Sequence, residues 1–178
     1  MAKGKAERRR PLVGILMGSD SDHSVMSESA RVLAKFDIAY EMEVISAHRS
    51  PARTHEYATS AIRRGLKAII VGAGGAAHLA GVVASLTTLP VIGVPIPMTT
   101  LQGMDSLLST VQMPSGIPVA TMAIDKAGAA NAAIFAAQIL GTSDERIARE
   151  LVKHKKELAR SVAEKNARLQ QKLGEAAK

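Results

Sequence analysis

The sequence predicts an α/β domain built on a parallel sheet, and two observations carry that prediction. Five short apolar runs are bounded by Gly, Pro or Ser, and five longer segments with apolar positions at helical spacing alternate with them. The chain of 178 residues is one domain's length, so the most economical arrangement is a five-stranded, flavodoxin-like sheet of order 2-1-3-4-5 with helices on both faces.

The strand candidates are residues 12–17, 39–45, 67–71, 91–94 and 119–122. Runs this short and this apolar suit strands covered on both faces. The helix candidates are residues 22–36, 51–64, 76–86, 104–113 and 126–140, several with Ser, Asp or Pro near their start. Residues 143–178 differ: dense in Ala, Glu, Lys, Arg, Leu and Gln, with no Gly before Gly174, they predict one long helix. Its apolar residues Ile147, Leu151, Leu158, Val162 and Leu169 form a stripe too thin for a wholly core-facing helix, so it is expected to reach beyond its own domain. The domain plan is a basic extension over residues 1–10, a catalytic domain over 11–141 and the helix over 142–178.

Composition excludes several functions. The chain lacks Cys, which removes disulfides, thiolate zinc sites and thiol nucleophiles. The net charge of +7 invites a nucleic-acid reading. Partition weakens it: residues 1–10 and 142–178 carry +4 each, while residues 11–141 carry −1. Phe36, Tyr40, Tyr57 and Phe135 are scattered rather than interleaved with basic residues, so no base-stacking platform is expected. Neither a secretory leader nor a run of about 20 apolar residues occurs, so the default is a cytoplasmic protein with no membrane partner.

In a doubly wound sheet, ligands bind beyond the carboxyl ends of the strands. After the first strand comes Met17-Gly18-Ser19-Asp20-Ser21-Asp22, where helix amides and hydroxyls suit a phosphate and a carboxylate suits sugar hydroxyls. Ser and Asp are equally the ordinary caps of such a turn. After the second strand stands Ser46-Ala47-His48-Arg49-Ser50-Pro51, a proton carrier beside a guanidinium that can grip phosphate or carboxylate. After the third, Gly72-Ala73-Gly74-Gly75-Ala76-Ala77-His78 leaves little side-chain bulk, so backbone amides can approach a ligand closely. Its spacing with Ala77 in the last place, and no acid at the next strand end, makes dinucleotide binding a weak reading. His78 is a second candidate imidazole or an ordinary helix-face histidine. Residues 95–98 and 112–118 could wall a pocket, Met104, Leu107, Leu108, Val111 and Met113 are assigned to packing, and Asp105 to a helix cap. No nucleophile elbow, phosphate loop ending in Lys-Ser or Lys-Thr, or zinc-protease motif occurs, and His23, His48, His55 and His78 make no recognisable metal set. The residues alone point to a cofactor-free proton-transfer site for a small phosphorylated or carboxylated ligand.

Taken together the motifs resemble a known family, the N5-carboxyaminoimidazole ribonucleotide mutases of purine biosynthesis. The resemblance runs through residues 11–141: Met17-Gly18-Ser19 with Ser21-Asp22, Ser46-Ala47-His48-Arg49 with Pro51, the segment from Gly72 to Leu79, Gly93-Val94-Pro95, Gly103-Met104-Asp105-Ser106-Leu107, Val111-Gln112-Met113-Pro114, and Ala127-Gly128-Ala129-Ala130-Asn131-Ala132-Ala133. Two positions depart from the commonest pattern, His23 where many members carry Trp and Ala80 where Pro is usual. The resemblance implies a three-layer α/β sandwich, no cofactor and no metal, a homo-octamer, and a ribonucleotide substrate. It implies that Ser19, Asp22 and Arg49 bind that substrate, with hydroxyl and guanidinium on phosphate and carboxylate on ribose. Ser46 and His78 would lie near the migrating carboxyl group, His48 would be the general acid and base, and Gly18, Gly74, Gly75 and Ala76 would complete the binding surface. Arg49, where the direct aminoimidazole ribonucleotide carboxylases tend to carry Lys, favours the mutase over that alternative. A passive nucleotide- or flavin-binding module on the same fold would not require His48-Arg49.

Overall fold

The computed structural model describes residues 10–176, so the basic extension, apart from Arg10, and the last two residues of the expected long helix lie outside the described residues. The strands are β1 (Val13–Met17), β2 (Tyr40–Val44), β3 (Ala68–Gly74), β4 (Val91–Ile96) and β5 (Ala120–Thr121). They pair in parallel in the order β2-β1-β3-β4-β5. The helices are α1 (His23–Lys35), α2 (Pro51–Arg64), α3 (His78–Leu86), α4 (Met104–Val111), α5 (Asp125–Gly141) and α6 (Glu145–Ala176).

Successive side chains of a strand point to opposite faces, and here each face has its own helical layer. Ile15, Met17, Ile70 and Ile92 pack beneath α1 and α5, whereas Leu16, Ile69 and Val71 pack beneath α2 and α3. The three layers follow. On the first face α5 buries Ala129, Ala132, Ala133, Ala136 and Ala137, small residues that let its backbone lie close to the sheet and α1. A buried Ser29 hydroxyl in α1 donates to the Ala129 carbonyl at 2.7 Å across that contact. On the second face Pro51 opens α2 and Gly65, at φ 98°, closes it in the left-handed conformation that glycine adopts without a Cβ clash. The fully buried Tyr57 hydroxyl donates to Glu41 of β2 at 2.7 Å, and Arg64 also bonds that carboxylate, tying the edge strand to α2. Burial first, then Glu41, pushes the Tyr57 hydroxyl well above the usual phenol range.

Several element ends differ from the sequence reading. The Ser-Asp turn forms a separate 3-10 turn, Asp20–Asp22, ahead of α1. β4 continues through Pro95 to Ile96; β5 pairs only with Ile92 and Gly93, so no ladder on that flank is interrupted by the missing N–H. Gly103, at φ 90°, occupies the position before α4, and Asp105 instead accepts a 2.7 Å bond from the Thr99 hydroxyl. Met104, Leu108 and Val111, assigned to packing, are about half exposed.

The last helix is anchored only at its start. Asp144 accepts from the Arg146 and Ile147 amides at 2.9 and 3.1 Å, Ile147 is 0% exposed, and Leu151 packs against the core. His154 meets Phe36 edge-on at 5.5 Å between centroids, and Lys35 pairs with Glu157 at 2.8 Å. Beyond Glu157 the helix leaves the domain, and Leu158, Val162, Leu169 and Leu173 are at least half exposed. No helix among the described residues is long and apolar enough to cross a membrane.

Candidate active site

Strand register assembles the site. Met17 of β1 lies level with Val44 of β2 and with Gly72 of β3, so the chain leaves three adjoining strands at nearly the same height. The three loops that follow therefore meet at one end of the sheet.

The first loop is a closed capping box. Ser19 accepts from the Ser21 amide at 3.4 Å, and Asp22 accepts from the Ser19 amide at 3.1 Å. Asp22 is only 4% exposed. Burial pushes its carboxyl above the usual range, and bonds from the Ser19 backbone and the Ser21 side chain oppose that push without overcoming it.

The second loop is clamped by Ser50, whose hydroxyl accepts from the Ser46 amide and donates to the Ser46 carbonyl, each at 3.0 Å. Ser46 in turn accepts from the Arg49 amide at 3.1 Å. The guanidinium crosses to the first loop, where Arg49 Nη2 donates to the Gly18 carbonyl at 3.0 Å. Arg49 is thus aimed across the strand ends by its own neighbours.

In the third loop Gly75 (φ 60°) and Ala77 (φ 46°) both adopt the left-handed conformation, and the Ala77 amide donates to the Gly74 carbonyl at 3.1 Å. For an alanine this conformation costs on the order of 1–2 kcal/mol. It turns the chain so that α3 begins at His78, with its unpaired first-turn amides at the site. A Cβ on Gly74 would come within 3.0 Å of Met98, so glycine lets this loop pass the exit of β4.

The decisive contact joins the second and third loops. His48 Nε2 lies 2.7 Å from His78 Nδ1, with the rings edge-on at 81° and 4.9 Å between centroids. One imidazole donates and the other accepts, so the pair shares a proton and can pass it on. These rings, Arg49 and Asp22 line a cavity of about 550 Å³.

Nine of the ten residues singled out in the sequence line that cavity: Gly18, Ser19, Asp22, Ser46, His48, Arg49, Gly74, Ala76 and His78. Gly75 is not among the lining residues; it turns the loop. Ser21, Leu79 and Met98 also line the cavity and had not been singled out individually as binding residues. Their signal was only their place at strand ends. His23 lines a separate cleft with Asp20, Glu43 and Val44, and among the described residues no group of three or more metal-ligating side chains gathers.

The sequence model of the AIR carboxylase family matches residues 12–161. The chain belongs to that family. Membership reaches further along the chain than the sequence motifs did, into the first half of α6, the part that Ile147 and Leu151 dock onto the domain. Among family relatives, N5-carboxyaminoimidazole ribonucleotide mutase of Pyrococcus horikoshii is 58% identical over 91% of this chain and 90% of its own. The protein of the same name from Thermotoga maritima is 56% identical over 90% of this chain and 93% of its own. Among solved structures, the crystal structure of Treponema denticola PurE superposes with a TM-score of 0.80 at 31% identity, covering 90% of this chain and 99% of that one.

Proposed function

We propose that this AIR carboxylase family member is an isomerase of purine biosynthesis that converts N5-carboxyaminoimidazole ribonucleotide to 4-carboxy-5-aminoimidazole ribonucleotide. The observation that carries the reading is the His48–His78 pair beside Arg49 in one cavity, in a chain whose relatives bear the mutase name. The substrate's phosphate meets the Ser19 hydroxyl and the Arg49 guanidinium, and its ribose hydroxyls meet Asp22. Ser46 and the Gly74–Ala76 backbone surround the carboxyl group as it moves.

The proton balance needs only one carrier. The carbamate N–C bond breaks to release carbon dioxide, and His48 as the cation gives its proton to the exocyclic nitrogen. The ring carbon then attacks the same carbon dioxide, held close by the small residues of the third loop. Neutral His48 removes the proton from that carbon, which restores both the aromatic ring and the imidazolium. No proton is consumed overall, and His78 holds the ring of His48 in the orientation both transfers require.

The test is a spectrophotometric assay with the carbamate ribonucleotide. His48→Asn is expected to bind substrate and lose about 10²- to 10⁴-fold in turnover, as removal of a general acid-base does. Near-normal turnover would overturn the assignment. Supplying aminoimidazole ribonucleotide with bicarbonate instead distinguishes the direct carboxylase, which would turn that pair over in preference. We also propose a cytoplasmic homo-octamer. The half-exposed apolar stripe of Leu101, Met104, Leu108 and Val111, beside the cavity residue Met98, supports association between copies. A monomer in sedimentation would remove that expectation.

A further inference from the structure

Six large apolar residues of α6 repeat every eleven positions, while the exposed Val152 stands outside the pattern. Ile147, Leu158 and Leu169 form one series, and Leu151, Val162 and Leu173 form the other. Eleven residues make nearly three whole turns, so such a pattern drifts only about 20° per repeat and stays on one face of a straight helix. The first pair, Ile147 and Leu151, is spent on the chain's own domain. The second and third pairs continue the same face past Glu157, the last residue tied to the body, and nothing among the described residues covers them.

We infer that this outer half of α6 pairs antiparallel with the same segment of a second copy. The spacing of the uncovered residues supports that occupant. Leu158, Val162, Leu169 and Leu173 are separated by four, seven and four positions, a sequence that reads the same in both directions about a centre between Lys165 and Asn166. An interface between identical surfaces must be self-complementary, and a two-fold axis at that centre sets Leu158 against Leu173 and Val162 against Leu169.

Charge agrees with the same axis. One side of the outer helix carries Glu164 before the centre and Arg168 and Lys172 after it, with Lys165 at the centre itself and Glu175 near the helix end. Antiparallel apposition brings Glu164 of each copy beside Arg168 of the other. The opposite side, Ala159, Ala163, Asn166 and Gln170, is uncharged and small enough to permit close approach. Length agrees as well. With this centre, Ala176 comes level with Lys155 of the second copy, next to the point where that helix leaves its own body, so the free length and the overlap coincide.

The absence of cysteine makes the test clean, since any disulfide must form at the introduced residue. In the full-length protein, Lys165→Cys, beside the proposed axis, is expected to shift under mild oxidation to a reducible band of twice the chain mass. Ala167→Cys, on the back of the helix, is expected to remain single. Val162→Cys is expected to cross-link to co-expressed Leu169→Cys but not to itself. A Lys165→Cys protein that stays single overturns the inference, as does Ala167→Cys cross-linking equally well. Self-linked Val162→Cys overturns it in favour of parallel pairing. This pairing does not rest on the substrate assignment, because the cross-link and the mutase assay read different ends of the molecule.

Discussion

Replacing Arg49 with Lys keeps the charge and removes the fork, which makes Arg49→Lys a sharp probe of the proposed phosphate site. The guanidinium reaches the Gly18 carbonyl at 3.0 Å through Nη2 and lies 3.5 Å from the Ser46 hydroxyl through Nε, so one planar group can stay tethered to the loop while it presents a further N–H edge to a ligand. An ammonium on a flexible stem cannot do both in fixed geometry. The substitution should therefore cost about one charge-assisted hydrogen bond, about 1.5–3 kcal/mol, which corresponds to a 10- to 150-fold fall in kcat/KM. Because a phosphate remote from the reacting carboxyl is held equally in ground and transition states, the loss should fall on KM and leave kcat nearly unchanged. Steady-state kinetics on the carbamate ribonucleotide read both. The thermal midpoint should hold, since the side chain is exposed and its bonds are weak in water. A kcat/KM within about threefold of the parent would refute a bidentate phosphate role, and a fall in kcat at constant KM would move Arg49 to the reacting centre.

Two further outcomes test the electrostatics of the first loop and the anchoring of the last helix. Burial raises the Asp22 carboxyl, so between its ordinary value and its native one the folded chain holds a proton that the unfolded chain has lost. Stability on this account falls as pH rises from 3.8 through the native value and is level beyond it. Asp22→Asn removes that slope, so denaturant titrations should find the variant gaining on the parent as pH rises, while substrate affinity falls; a gap that closes with rising pH would contradict the burial argument. Ile147→Ala empties a fully buried site between α6 and the core and should cost about 2–5 kcal/mol, lowering the thermal midpoint by roughly 4–20 °C. A shift of only a degree in calorimetry would mean that α6 is not part of the folded domain.

The sheet order was legible because parallel strands covered on both faces must be short, continuous apolar runs, and residues 12–17, 67–71 and 91–94 are such runs. What was lost at the boundaries has local causes. The capping box between Ser19 and Asp22 winds a tight turn before α1, and Ala77 takes a left-handed conformation that alanine rarely adopts, delaying α3 to His78. At the site, residue identity was readable but contact was not. His48 and His78 lie thirty positions apart, and only the level register of β1, β2 and β3 brings their nitrogens to 2.7 Å. The exposed face of α4 looked like core because hydrophobicity does not say which surface covers a residue.

Capping and binding looked like rival readings of Ser19 and Asp22, yet under the proposed function one geometry would serve both. The capping-box carboxylate of Asp22 is only 4% exposed, and its bonds from the Ser19 amide and the Ser21 hydroxyl do not overcome the desolvation that pushes its pKa up. Two sugar hydroxyls entering the cavity would supply the donors that burial removed, so the ligand would lower the cost of keeping Asp22 ionised. On the proposed function affinity and ionisation are linked: a substrate that binds the charged form would lower the native pKa of Asp22. The same logic covers Arg49: tethered by Gly18 and Ser46, it would need little further ordering to hold the proposed phosphate. Local backbone bonds thus hold both proposed binding groups in place, and a ligand carrying hydroxyl donors would relieve the unfavourable burial that remains at Asp22.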